Sequence, residues 1–173
     1  MLGNPRGGFA RWRVPLGFVT AVAVIVLASP TWRSLWLGLP VALVGEAIRL
    51  WAAGHLEKSR EVTRSGPYRW TRHPLYLGSS IVALGVLIAA NSVPVAIVGT
   101  LYMVTTIAAA VRAEEAFLRQ AFGDEYDRYQ RSEGAPMARR FSLERAMRNR
   151  EYRAMMGIAG GFALLALKIT VSV

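Results

Sequence analysis

The run Gly66-Pro67-Tyr68-Arg69-Trp70-Thr71-Arg72-His73-Pro74-Leu75-Tyr76-Leu77-Gly78 concentrates aromatic, basic and rigid residues in one short stretch between long apolar runs. Charged side chains at a membrane surface are common. A proline-punctuated knot of Tyr, Arg and His at the mouth of an apolar helix is not, and it can hold a polar ligand against the bilayer. His73 precedes a proline, so its backbone is biased towards extended conformations. Pro74 then opens a helix, and the unpaired amides of that first turn favour an anion. Tyr68, Trp70 and Tyr76 supply aromatic faces beside it. The plain alternative is that these aromatics are interfacial anchors and Arg72 a snorkelling base.

Acidic groups that could face this knot are few. Glu46 and Arg49 fall inside or near the end of an apolar run. Three apart on a helix, they share a face and can pair, and intramembrane charges tend to face the protein interior. They form either a structural ion pair or the polar wall of a ligand cavity. Glu114 and Glu115 follow the end of a later apolar run. Neighbours on a helix point about 100° apart, so one of them at most faces a shared cavity squarely. Glu115 can reach Arg119 one turn on, which leaves Glu114 to point inward.

The elements that must position these groups read as membrane helices. Just over half of the residues are apolar, and they cluster in runs rather than scattering at a soluble period. Five candidate spans emerge, roughly Val14 to Ser29, Leu35 to Ala53, Leu75 to Ala90, Val93 to Val111, and Ala154 to Val173. Each approaches or reaches the ~20 residues that cross ~30 Å of hydrocarbon. The fold class is therefore an all-α, polytopic membrane bundle of about five helices with cytoplasmic helical segments, formed as one domain over residues 1–173. Arg6, Arg11 and Arg13 precede the first run without making a convincing cleavable signal. With the N-terminus in the cytoplasm, almost every Lys and Arg lies on the inner side, Arg33, Arg49 and Lys168 excepted. That distribution obeys the positive-inside rule and accounts for the net charge of +10 without a nucleic-acid partner. The absence of cysteine excludes disulfides, thiolate metal sites and a cysteine nucleophile, and no metal is expected.

The outer turns, Pro30 to Ser34 and Asn91 to Pro94, are too short to build a site. Function must sit inside the bundle or on the inner face. There, the helix carrying Glu114 continues past the bilayer and should stop at Gly123. Asp124 is expected to cap a short helix with Tyr126 and Tyr129, and Ser142 with Arg145 to open another before the last span. Gly157 and Gly161 form a small-residue spacing expected to serve tight packing within the bundle.

A ligand that suits these parts is S-adenosylmethionine. A carboxylate or aromatic face stabilises a sulfonium, helix-start amides, His or Arg hold a carboxylate, and aromatic and aliphatic groups flank an adenine. No Gly-x-Gly-x-x-Gly loop is present, which argues against a soluble dinucleotide fold.

The block from Gly66 to Gly78 resembles the signature of the isoprenylcysteine carboxyl methyltransferases, their bacterial relatives and the phospholipid methyltransferases. A second signature, Glu114-Glu115-x-x-Leu118 followed by Phe122-Gly123 and Tyr126-x-x-Tyr129, also matches. The resemblance runs over roughly Gly45 to Gln130. It implies a membrane methyltransferase of the bacterial inner membrane with its S-adenosylmethionine site on the cytoplasmic side, partly roofed by the C-terminal segment. By the match, Tyr68, Arg72, His73, Pro74, Leu75 and Tyr76 line that site, together with Glu61, Val62 and Thr63 of the preceding stretch. Glu114 or Glu115 supplies the acid, Glu114 in preference. Glu46, Arg49 and Arg112 are the candidates on the catalytic, acceptor side.

Two departures also fall on the acceptor side. Where the eukaryotic enzymes carry a substrate-binding Arg four residues before the acid, this chain has Ala110, with Arg112 nearby but at a different helical phase. The tail after Tyr129 is replaced by Glu133 to Phe141 and a further span. The acceptor is thus a lipid-like carboxylate, amine or hydroxyl. A carboxylate needs no base, whereas for an amine or phenol Glu46, Glu114 or His73 can take a proton. Two other classes stand beside this reading: an NADPH-dependent membrane reductase of the steroid or sterol reductase type, with Arg60, Arg64 or Arg69 for the extra phosphate, and a non-catalytic membrane assembly protein.

Overall fold

The computed structural model describes residues 8–133 and 137–172, and the side chains of residues 8–16 and of Phe18 fall outside that description. Arg6, Val173 and residues 134–136 of the divergent tail therefore lie outside the described residues, as do the side chains of Arg11 and Arg13. The order is α1 (Gly8–Leu27), α2 (Trp32–Ala53), a 3₁₀ turn (Gly66–Arg69), α3 (Pro74–Ala90), α4 (Val93–Phe122), α5 (Asp124–Gln130), α6 (Leu143–Arg148) and α7 (Glu151–Val171). The described residues are all-helical and contain no strand. Of the five expected spans, α2, α4 and α7 are long and apolar enough to cross a membrane, and α3 is a shorter apolar helix of 17 residues.

Helix ends follow local chemistry. Thr31 and Ser34 form a reciprocal capping box, so α2 begins at Trp32, ahead of the expected Leu35. α4 runs past the end of its apolar stretch at Val111, as expected, because its polar and apolar groups keep a helical period. It stops where Gly123 adopts φ +47, a conformation that glycine tolerates. Asp124 is not the cap of α5: it is the first residue, and Gly123 is the cap. Ser142 does cap α6, its hydroxyl accepting from the Arg145 amide at 3.2 Å.

The tightest helix pair is α2 with α3. Gly38, Ala42 and Gly45 on one face meet Gly78, Gly85 and Ala89 on the other, so the two backbones pack without intervening side chains. Close approach of this kind replaces the hydrophobic drive that lipid does not supply. Where α2 begins and α3 ends, the Ser34 hydroxyl donates to the Ala89 carbonyl at 3.0 Å, and the Asn91 amide to the Ser29 carbonyl at 3.1 Å. The Lys168 ammonium, on α7, donates to the carbonyls of Ile25 and Val26 near the end of α1, each at 2.8 Å. A small core of Leu35, Ala42, Ala89, Val95, Phe162, Leu165 and Ile169 lies between these helices. The glycines of α7 take no part in it. A Cβ at Gly157, Gly160 or Gly161 would meet nothing within 4 Å, so the expected packing role of that spacing is not the one observed.

The loops that follow α2 are held by a strap of residues 137–149. Arg139 forks onto both oxygens of Glu61 at 2.5 and 2.8 Å, and also donates to the His55 carbonyl at 3.1 Å. Arg145 and Arg148 converge on Glu57 at 2.8 and 2.9 Å. The Asn149 amide donates to the carbonyls of Ala53 and Leu56, both at 2.9 Å, satisfying groups that the end of α2 leaves open. The Arg145 hydrogen bond foremost holds the Glu57 carboxyl below the usual carboxylate range. Under the strap, His55 is buried with Nδ1 3.1 Å from the Ser65 hydroxyl. Burial, then the charges of Arg145, Arg139 and Arg69, pushes its imidazole below the ordinary histidine value.

Candidate active site at one end of the bundle

Gly66 carries the loop after α2 back towards the start of α3. Its φ of +56 and its contact with the His55 ring leave no room for a side chain. The 3₁₀ turn that follows buries Tyr68, and the Tyr129 hydroxyl of α5 donates to the Tyr68 carbonyl at 2.8 Å. Arg64 and Glu125, 2.7 Å apart, fasten the same loop to α5. His73 stays non-helical, at φ −130, and Pro74 starts α3, as an X-Pro step requires.

These elements border a cavity of about 610 Å³ between the loop, the first turns of α3, the C-terminal half of α4 and the start of α7. That volume is of the size that takes a cofactor-sized molecule. Of the residues expected to bind a cofactor, Glu61, Val62, Thr63, Tyr68, Arg72, His73, Pro74, Leu75, Tyr76 and Glu114 all line it. From α4 the wall consists of Ala110, Ala113, Glu114, Phe117 and Leu118, one face of a helix at its natural period.

Helical phase separates the two acids. Glu114 lies on the cavity stripe. Glu115 lies off it, 4.0 Å from Arg119, and also takes His73 Nε2 at 3.2 Å and Arg72 at 3.9 Å. A carboxylate only accepts, so His73 Nε2 carries the hydrogen of that bond. His73 Nδ1 is then left buried with no hydrogen-bond partner, 3.9 Å from Glu114. Burial, and next the Glu114 carboxylate, pushes the Tyr68 phenol well above its usual value. Tyr129, raised chiefly by burial, reaches about 12. Both phenols stay protonated at any working pH and keep their capacity to donate.

The three acceptor-side candidates part company. Arg49 lines the cavity. Glu46 is buried behind it, Oε2 at 3.3 Å from Arg49 Nε. Arg112 is exposed and off the lining stripe, because two residues before Glu114 is the opposite side of the helix. Several lining groups escape a reading of the sequence: Ser79, one turn into α3, Asn149 at the end of the strap, and Glu151, the first residue of α7. An acid lodged between Arg150 and Arg153 at the mouth of an apolar span was the one available signal for Glu151.

Residues 18–125 match the phospholipid methyltransferase family, a stretch that contains the first signature, the second as far as Gly123, and most of the cavity wall. The chain belongs to that family. Among curated proteins it is 33% identical over 123 residues to the cobalt-zinc-cadmium resistance protein CzcN of Cupriavidus metallidurans, covering 64% of this chain and 55% of that protein. It is 30% identical over 132 residues to the nickel-cobalt-cadmium resistance protein NccN of Alcaligenes xylosoxydans xylosoxydans, covering 69% and 59%. It is also 33% identical over 110 residues to a probable protein-S-isoprenylcysteine O-methyltransferase of Oryza sativa subsp. indica, covering 57% and 58%. The chain spans a little over half the length of these relatives. No solved structure matches it. None of the three relatives is described as a reductase, and that alternative gains no support.

Proposed function

We propose that this protein is an integral-membrane, S-adenosylmethionine-dependent methyltransferase acting on a lipophilic acceptor, with its N-terminus and cavity on the cytoplasmic face of a bacterial inner membrane. The observation that carries this reading is the meeting of the His73-Pro74-x-Tyr76 element and Glu114 in one cavity, in a chain of this family. The donor set suits the cofactor. Glu114 offers a carboxylate to a cationic sulfonium or ammonium, and His73 Nδ1 is a buried polar atom still lacking a partner. The opening amides of α3 suit a carboxylate, and Val62, Leu75, Phe117 and Leu118 give an apolar bed for a base.

When bound, the cofactor supplies an electrophilic methyl group on a positively charged sulfur. The chain's own task is to bind, orient and keep water out. Glu115 holds the His73 ring, and helical phase turns Glu114 to the cavity, so both lie on its wall before any ligand arrives. Positioning of this sort supplies ~7–11 kcal/mol of barrier reduction in favourable cases. The acceptor reaches the cavity sideways from lipid, while the cofactor comes from the aqueous side through the loop region under the strap. Among the described residues no group of three or more His, Asp or Glu is placed to hold an ion.

Calorimetry on the detergent-purified full chain tests the reading. S-adenosylmethionine and its demethylated product should bind and NADPH should not; the reverse order would reject it. Incubating native lipid extract with methyl-labelled cofactor then identifies the acceptor.

A further inference from the structure

Residues 137–153, the strap and the first turn of α7, carry six arginines against two glutamates. Half of those arginines are already spent. Arg139 is taken by Glu61, and Arg145 and Arg148 by Glu57, which Arg60 also approaches at 3.9 Å. Glu151 faces the other way. Its Oε1 lies 2.7 Å from Arg49 Nη2, so it neutralises α2 and not the strap. Arg140, Arg150 and Arg153 are exposed and form no ion pair among the described residues. Glu144, exposed and likewise without an ion pair, offsets one of these three charges at most.

The place of this excess narrows its partner. The Asn149 amide ties the strap to the Ala53 carbonyl at the end of α2, and α7 starts two residues later. Both helices are long and apolar enough to cross a membrane. The strap therefore lies at the level where two spans leave the apolar layer. Aromatic side chains share that level. Phe141 lies against Gly54, and its ring is 6.4 Å from that of His55. His55 meets Trp51 at 6.5 Å, and Trp51 meets Trp70 at 5.5 Å. Trp70 is 76% exposed, and Phe141, Leu143 and Tyr152 are exposed as well. Apolar groups shown in a row mark a contact surface. Trp and Tyr settle at headgroup depth, and arginines clustered beside a span draw anionic headgroups. A soluble acidic partner would meet the bilayer edge at this level before it met the arginines.

We propose that Arg140, Arg150 and Arg153, flanked by the row from Phe141 to Trp70, form a docking surface for anionic phospholipid headgroups. The phosphate oxygens accept hydrogen bonds from guanidinium groups that no carboxylate occupies, while the aromatic row enters the headgroup layer beside them. The lipid is bound as a neighbour and not as the molecule that reacts: none of the three arginines lines the cavity. The surface stands whether or not the cavity holds S-adenosylmethionine. Its effect on the site is mechanical. The strap also holds Glu61 and Leu56 of the cavity wall, so a headgroup that steadies the strap steadies that wall.

The test titrates the full chain, in an uncharged detergent, with brominated phosphatidylglycerol or brominated phosphatidylcholine and reads tryptophan quenching. The wild-type protein should bind phosphatidylglycerol about fivefold or more tightly, the scale of one arginine beside an anionic surface. That preference should shrink in ~1 M salt, where screening acts within ~3 Å. Trp70→Phe should remove the excess quenching by phosphatidylglycerol, which places the lipid beside the aromatic row. A triple variant, Arg140→Gln with Arg150→Gln and Arg153→Gln, should bring the two lipids within about twofold of each other. Arg33→Gln with Arg112→Gln and Arg128→Gln removes the same charge elsewhere and should keep the preference. Equal binding of the two lipids by the wild-type protein overturns the proposal, and that comparison stands even where a variant does not fold. Equal losses in the two triple variants also overturn it, leaving only attraction to net charge. Heptaglutamate binding as tightly as phosphatidylglycerol would overturn it too, reassigning the face to a soluble acidic partner.

Discussion

Replacing Gly45 by alanine should damage the site from a distance, through the α2–α3 interface. A Cβ on Gly45 would sit 2.6 Å from the Val82 amide nitrogen and 2.7 Å from the Gly78 carbonyl oxygen, against 3.4 Å for ordinary contact. Both obstacles are backbone, so neither can rotate away. The helices must separate by about 0.8 Å, and a gap of that size forfeits a quarter to a half of each dispersion contact along the seam. The expected cost is about 1–3 kcal/mol. Gly45 adjoins Glu46, and a Cβ at Gly78 would meet Arg49, so the separation also moves the α2 wall of the cavity. Gly157→Ala on α7 is the matched control. It meets nothing within 4 Å, and relief of glycine's helix penalty should leave stability unchanged or raise it by up to about 1 kcal/mol. Thermal unfolding in detergent, followed by S-adenosylmethionine titration, reads both effects. A Gly45→Ala protein as stable as wild type, or a Gly157→Ala protein destabilised like it, would refute this account of the packing.

Three further outcomes are expected. Glu114→Gln should weaken S-adenosylmethionine binding about tenfold, the scale for losing a charge-assisted bond, and by more than Glu115→Gln, whose loss acts through His73 and Arg72; calorimetric affinities in the reverse order would reject the facing assignment. Arg139→Ala should free Glu61 and loosen the strap, lowering stability by about 1–3 kcal/mol and speeding proteolytic cleavage within residues 130–150; an unchanged cleavage pattern would mean that the strap is held elsewhere. Acid should act on the same strap. His55 titrates lower in the folded chain than its ordinary 6.5, so the unfolded chain binds the extra proton first and stability falls as pH drops below about 6.5. Glu57, also depressed, adds a stabilising contribution present above its ordinary 4.5 and lost as pH falls through its lower folded value. Hydrogen exchange of residues 54–65 should therefore rise on acidification once corrected for intrinsic rates; protection independent of pH from 7 to 4 would count against it.

Much of this protein is written in local sequence. The His73-Pro74 step sets a break between loop and helix whatever surrounds it, because proline restricts both its own backbone and that of its predecessor. Gly123 ends α4 for a similarly local reason. The period of the α4 stripe that lines the cavity separates Glu114 from Glu115, since helical phase depends on spacing alone. The pairing of Glu46 with Arg49 follows from the same rule.

What only the tertiary structure decided lies in pairs far apart along the chain. Arg49 and Glu151 are brought together by the strap, which reaches the end of α2 through Asn149, Arg145 and Phe141, and no periodicity links those positions. The helix seam formed around Gly38, Gly45, Gly78 and Gly85, rather than around the equally suggestive glycines of α7, because close packing needs two complementary small faces and α7 meets no partner surface there. Arg112 shows the limit from the other side: nearness in sequence to Glu114 meant little once the helix turned it outward. Spacing sets which way a side chain points along its own helix. Which other helix it then faces depends on how the chain closes, and that closure places the second carboxylate against Arg49.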